Sequence, residues 1–230
     1  MVPGAIHAAS ACQPEAQKEC SDQSAPDHGV AQAVPFEPGT CPEGVAPGVA
    51  PEATSSRSSA SSSSATVSGG QYNTASWGAA TVGGGGNNSA EGLYATVGGG
   101  HENHAQAELS TIAGGAENTT TTGWASVGGG YGNQAAGEAA VIAGGYQNST
   151  TASGATVAGG SQNEAGDLAA VGGGRYNLAD GSAAAVSGGE LNHAGGANAA
   201  IGGGGGNRAI TGTHTTIAGG NQNTSSGYAA

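Results

Sequence analysis

Residues 80–90 read Ala80-Thr81-Val82-Gly83-Gly84-Gly85-Gly86-Asn87-Asn88-Ser89-Ala90, and this stretch decides the fold. Ala80 and Val82 alternate with Thr81, the period-two pattern that sends successive side chains to opposite faces of a strand. The glycines that follow permit the positive φ of a tight turn, because they have no Cβ to clash with the backbone. Asn88 stands six residues after Val82. Its amide suits such a turn, since it can bond local backbone groups and stack on the Asn of a neighbouring copy. Ala90 offers a second inward position.

The pattern recurs along the chain. Val or Ile stands at Val67, Val82, Val97, Ile112, Val127, Ile142, Val157, Val171, Val186, Ile201 and Ile217. Six residues after each comes an asparagine: Asn73, Asn88, Asn103, Asn118, Asn133, Asn148, Asn163, Asn177, Asn192, Asn207 and Asn223. A small residue and two glycines lie between, as in "VSGGQYN", "VGGGHEN" and "IAGGYQN". Self-similarity at a fixed period marks a stacked array, and fifteen residues are too few for a helix pair or a propeller blade. The length suits one coil of two short strands and two turns. The expected fold is all-β, a parallel β-roll or β-solenoid of about eleven 15-residue coils, forming a rod about 50 Å long.

Two steps depart from fifteen residues. One residue is missing between Asn163 and Val171, and one is added between Asn207 and Ile217, while the Val-to-Asn spacing never changes. Length variation is therefore expected at the far turn, which must be exposed enough to tolerate it. One Val or Ile and a few Ala per coil bury too little apolar surface to offset the ordering of fifteen residues. An obligate oligomer is expected, associating through the Thr81, Thr96, Thr111, Thr156 and Thr216 column or the flanking small residues.

Upstream the material changes. All eight prolines lie at or before Pro51, and Cys12, Cys20 and Cys41 lie before residue 42. Residues 1–64 lack helical or strand periodicity and are rich in Ala, Pro, Ser and acids, the composition of a chain that stays disordered. The run from Ser55 to Ser64 reads as a flexible linker, giving an expected division into a disordered segment, 1–64, and a repetitive domain, 65–230. The start lacks a basic region and a long apolar run, so residues 1–12 are not expected to act as a complete secretory signal. "AASAC" ending at Cys12 faintly resembles a lipobox. Three cysteines allow one disulfide and one free thiol, or bridges between chains.

Composition excludes several function classes. Four Lys+Arg against sixteen Asp+Glu give a net charge of −12, which disfavours nucleic acid and anionic membranes as partners. No apolar run reaches the ~18 residues of a membrane helix. There are 47 glycines, and aromatic residues make up only 4%, so an ordinary globular enzyme core is not available. No phosphate loop, calcium nonapeptide or collagen period is present. No catalytic residue, cofactor or metal is expected. His101 and His104 flank Asn103, while His193 and His214 fall in other coils; they read as solvated turn residues or as a metal site across subunits. Trp77, Trp124, Tyr94 and Leu109 fall in the far-turn region, where they could cover the coil edge, pack between chains or form a sticky strip. Asn87, Asn118, Asn148 and Asn223 begin Asn-Xaa-Ser/Thr sequons, read as by-products of the recurrent Asn.

The tandem segments "ATVSGGQYNTASWG", "ATVGGGGNNSAEG" and "ASVGGGYGNQAAG" resemble the Hep/Hag-type head repeats of trimeric autotransporter adhesins, the YadA-like heads. The resemblance covers residues 65–230. It implies a left-handed parallel β-roll with three chains side by side. It also implies extracellular display at a bacterial surface, outer-membrane-attached or secreted, binding host extracellular matrix, cells or other surfaces, with a role in virulence. The ligand is not implied. A heptad stalk and C-terminal anchor strands are missing, and the chain stops within a repeat at "SSGYAA", as a fragment would. An ice- or polysaccharide-binding solenoid and a purely structural surface spacer are the alternatives. The Thr column behind the ice reading is broken at Val141, Ala170, Ala185 and Ala200.

Overall fold

A computed structural model describes residues 57–227, which form a parallel β-solenoid. The three cysteines and the segment they occupy lie outside the described residues. Strands β1 (Ser59–Ala60) and β3 (Thr74–Ala75) belong to one sheet, and β2 (Thr66–Val67) and β4 (Thr81–Val82) to a second. Each further coil adds one short strand to each sheet. The first sheet reaches twelve strands, ending at Thr224–Ser226, and the second eleven, ending at Thr216–Ile217. Every strand pairs in parallel with the strands one coil before and after it. Thr81 faces Thr96 and Val82 faces Val97, so equivalent positions stack in columns. The expected fold is the observed one.

The solenoid begins inside the serine run. Ser59–Ala60 pairs with Thr74–Ala75, and the Ser58 hydroxyl accepts the backbone N–H of Asn73 at 3.2 Å. Ser58 stands fifteen residues before Asn73 and starts the asparagine column with a shorter acceptor.

The interior is narrow. In one coil Asn73, Ala75, Ala80 and Val82 are all fully buried. Ala80 and Val82 face inward and Thr81 outward, as the alternation predicts. Thr120 and Thr150 replace alanine at the position of Ala75, and Ser110 and Thr215 replace it at the position of Ala80. Ser110 donates its hydroxyl to the carbonyl of Ala107 at 2.7 Å. The hydroxyls of Thr120, Thr150 and Thr215 have no partner. A buried polar group without a hydrogen bond costs about 1–3 kcal/mol. Thr120→Val keeps the shape and removes that cost, so it should raise stability by about 1 kcal/mol, read as a higher urea midpoint at unchanged slope. A lower midpoint would mean that the hydroxyl is satisfied.

The glycine turn explains its own composition. The glycine three residues before each asparagine, Gly70 to Gly220, has φ between +83° and +101°. A Cβ added at Gly85 would lie 2.1 Å from the carbonyl oxygen of Gly100 in the next coil. Both the conformation and the stacking distance demand glycine there. Two further columns are left-handed without being glycine-rich. The residue before each asparagine, including Tyr72, Glu117 and Leu191, has φ near +57°. So do Tyr94, Leu109 and Trp124 at the far turn. Their N–H groups donate back to the preceding coil, Tyr94 to the Gly78 carbonyl and Asn87 to that of Gln71. These bonds hold bulky residues in a conformation that costs each about 1 kcal/mol or more.

The irregular steps fall where the constant Val-to-Asn spacing places them. The missing residue shortens the far turn at Asp167–Leu168. The added residue enters as a register shift between Ala209 and Thr211, at the strand end leading into that turn.

Candidate functional site

The asparagine column lies inside the roll and forms a continuous ladder. Asn88 Oδ1 accepts the backbone N–H and the Nδ2 of Asn103, each at 3.1 Å. Asn88 Nδ2 donates to the carbonyls of Gly84 at 2.9 Å and Gly100 at 2.8 Å. One side chain thus ties its own turn to the turns of both neighbouring coils. The backbone-to-Oδ1 bond and the two carbonyl donations recur from Asn73 to Asn207, the side-chain-to-side-chain bond lapses at Asn148 and Asn163, and Asn223 ends the ladder with its donations to Gly219 and Asn207. The ladder is structural: its amides are consumed internally. Burial also removes Asn118 and Asn148 from any surface reaction, whereas the sequon residue Asn87 is exposed.

The valine and isoleucine column is equally internal. Val82 to Ile201 are buried to 1% exposure or less, Ile217 is slightly open at 7%, and Val67 is half-buried near the end of the roll. Both predicted columns are therefore internal, and only the outer surfaces are open to contact.

Those surfaces differ. The outer face of the first sheet carries His104, Gln134, Glu164, Leu178, His193 and Arg208 among smaller polar residues. On the outer face of the second sheet stand Thr66, Thr81, Thr96, Thr111, Ser126, Val141, Thr156, Ala170, Ala185, Ala200 and Thr216, without a charge. The Thr column is interrupted in its second half, as the sequence indicates.

The far-turn edge gathers Trp77, Leu93, Tyr94, Leu109 and Trp124 in the first coils. Trp77 is 63% exposed and Trp124 56% exposed in the single chain, so neither is covered by its own coil edge. The structure does not bring the histidines together. His101 lies on the glycine-turn edge beside Glu102, His104 on the first sheet, and His214 at the far turn. His193 pairs with Asp180 at 2.8 Å. Among the described residues no three His, Cys, Asp or Glu side chains cluster as metal ligands. The described residues form no helix long and apolar enough to cross a membrane.

The glycine-turn edge carries a feature that the sequence alone did not single out. Tyr131 and Tyr146 occupy adjacent coils in one column and stack with ring centroids 5.5 Å apart and planes at 11°. Tyr131 donates its hydroxyl to Glu117 Oε1 at 2.6 Å. That bond holds the phenol proton and raises the Tyr131 pKa above the ordinary tyrosine value, with Coulombic repulsion from Glu117 adding to it. Two coils further on, Arg175 bonds Glu190 and lies over the Tyr176 ring at 5.4 Å. Beyond them a shallow cleft opens over Gly205 and Gly206, between Glu190 and Leu191 on one side and Asn221 and Gln222 on the other. The signal in the sequence was the 15-residue spacing of Tyr131 and Tyr146, which puts them in register once the coil is known.

Glu117→Gln should bring the Tyr131 ionisation back down toward the ordinary value, visible in an ultraviolet titration. A raised folded-state pKa contributes stability below the unfolded value and loses it as pH rises through the folded one. The contribution of this pair should therefore fade only in alkaline solution. Comparison with known protein families and with curated proteins returns no match to this chain.

Proposed function

We propose that the chain is a non-enzymatic adhesin head, displayed at a bacterial surface and binding host extracellular matrix or cell-surface molecules through repeated outer faces. The carrying observation is the split between interior and surface. The repeated asparagines of the core spend their amides within the ladder, whereas the surfaces offer the same positions again at each coil. A fold of this kind is suited to a repeat protein that binds or spaces. The resemblance of its repeats to YadA-like heads favours binding. The uncharged outer face of the second sheet supports side-by-side association, with three chains as the resemblance implies. Exposed tryptophans at the far turn add apolar area for contact between chains or with a partner.

The test is retention of the purified protein on immobilised matrix proteins and on cultured cells, with solution mass measured on the same sample by light scattering. Saturable retention by a species of three chains is expected. Absence of retention on every matrix and cell surface would leave a structural spacer.

A further inference from the structure

We infer that the glycine-turn edge from Tyr131 to Gln222 is a binding strip for an uncharged glycan chain lying along the roll axis. This rests on the reading of the roll as a binding head and names a ligand class for one of its edges. Three observations converge on it.

The first is an exposed aromatic platform. Tyr131 and Tyr146 stack on each other, and their neighbours in the column are Ala116 and Ser161, side chains too short to cover the outer ring faces. Tyr131 and Tyr146 are 39% and 47% exposed, which leaves ring area open to the apolar face of a pyranose. Beyond Ser161 the column continues to Arg175, two coil steps, or about 10 Å, from Tyr146. That gap admits one sugar ring between the tyrosine and the Arg175–Tyr176 pair.

The second is the polar complement. Gln147 and Gln162 stand beside the platform at the left-handed position and are exposed. Asn221 and Gln222 wall the cleft over Gly205 and Gly206. Carboxamides both donate and accept, which matches hydroxyl groups rather than ionised ones. The third is charge. Arg175 is already engaged by Glu190, and Glu117 borders the platform, so the strip offers no free cation to a sulfated or carboxylated glycan. The coil rise of ~4.8 Å is close to the advance of one residue in an extended β-linked hexopyranose chain, so equivalent contacts can repeat along it.

The experiment is calorimetric titration of the full chain with cellohexaose and chitohexaose, with heparin as the anionic comparison. Saturable binding of at least one uncharged hexasaccharide is expected. Tyr131→Ala with Tyr146→Ala should weaken it about thirtyfold, since two aromatic contacts worth about 1 kcal/mol each are lost. Leu168→Ala on the opposite edge, where the side chain is exposed, should leave it unchanged, and circular dichroism of each variant checks that the roll is intact. Preference for heparin, or equal losses in the Leu168 variant, would overturn the strip. If the wild-type protein binds cells and matrix but neither hexasaccharide, the strip falls and the head reading stands. If it titrates with a hexasaccharide but is retained on no cell or matrix, the head reading falls and the strip stands.

Discussion

Asn133→Ala is expected to lower the stability of the roll by about 4 kcal/mol, although it removes only a small amide from a chain of 230 residues. Asn133 Nδ2 donates to the carbonyls of Gly129 at 2.9 Å and Gly145 at 3.0 Å, and its Oδ1 accepts the Asn148 N–H at 2.9 Å. Gly145 keeps another donor, the Tyr131 N–H. The Gly129 carbonyl and the Asn148 N–H are left inside without these partners, each costing about 1–3 kcal/mol, and a cavity is added. Asn223→Ala, at the exposed end of the same ladder, should cost under about 1 kcal/mol. Asn133→Asp should be worse than alanine near neutral pH, because a buried carboxylate cannot donate to the two carbonyls. Its folded pKa would be raised, so the variant should regain stability as pH falls and lose it as pH rises. Urea unfolding of the three variants at two pH values tests the set. Equal losses at Asn133 and Asn223 would show that the ladder is not what joins the coils.

Gly130→Ala is expected to be the more damaging change, costing at least about 5 kcal/mol or parting the roll at that coil. Its φ is +88°. An added Cβ would sit 2.1 Å from the Gly145 carbonyl oxygen and 2.7 Å from the Gly145 nitrogen. Both contacts are with backbone, and the backbone there is fixed by the ladder, so relief requires separating two coils. The control is Gly114→Ala, where the nearest atom to a new Cβ is the Gly99 carbonyl oxygen at 4.0 Å. That variant should stay within about 0.5 kcal/mol of the parent, because the new methyl meets open space and restricts the unfolded chain. Thermal unfolding followed by circular dichroism separates the two. Similar midpoints for both would refute the stacking argument for the glycine column.

The fold was legible because its determinants are repeated eleven times. Val82 and Ala80 announce the strand by alternation, and Asn88 and Gly85 announce the turn by chemistry; the copies then average away local noise. The start of the roll was less legible. Ser59–Ala60 has no valine and no glycine pair, and only its pairing with the next coil, with the bond from Asn73 to Ser58, shows that the serine run has joined the sheet. The left-handed columns left little trace in the sequence. Tyr94, Leu109 and Trp124 are unusual residues for φ near +57°, and coil closure rather than propensity puts them there. The asparagines were readable as stacking residues but not as core, since asparagine is mostly exposed and its burial here depends on the carbonyls that meet it. The tyrosine strip needed the coil register. No spacing rule marks two tyrosines as partners until the fifteen-residue step is known to be one turn of the roll.

Each strand finds its partner one coil away, as Val82 finds Val97 and Ala194 finds Ala209. All-β domains generally fold slowly because their pairings join distant parts of the chain. Here the search distance is the same for the first coil and the last, however many coils are strung together. Folding can start wherever a few neighbouring coils meet, and every later one docks on an edge already built, in the manner of a zipper. Lengthening the rod by further repeats should therefore extend its reach without slowing its assembly.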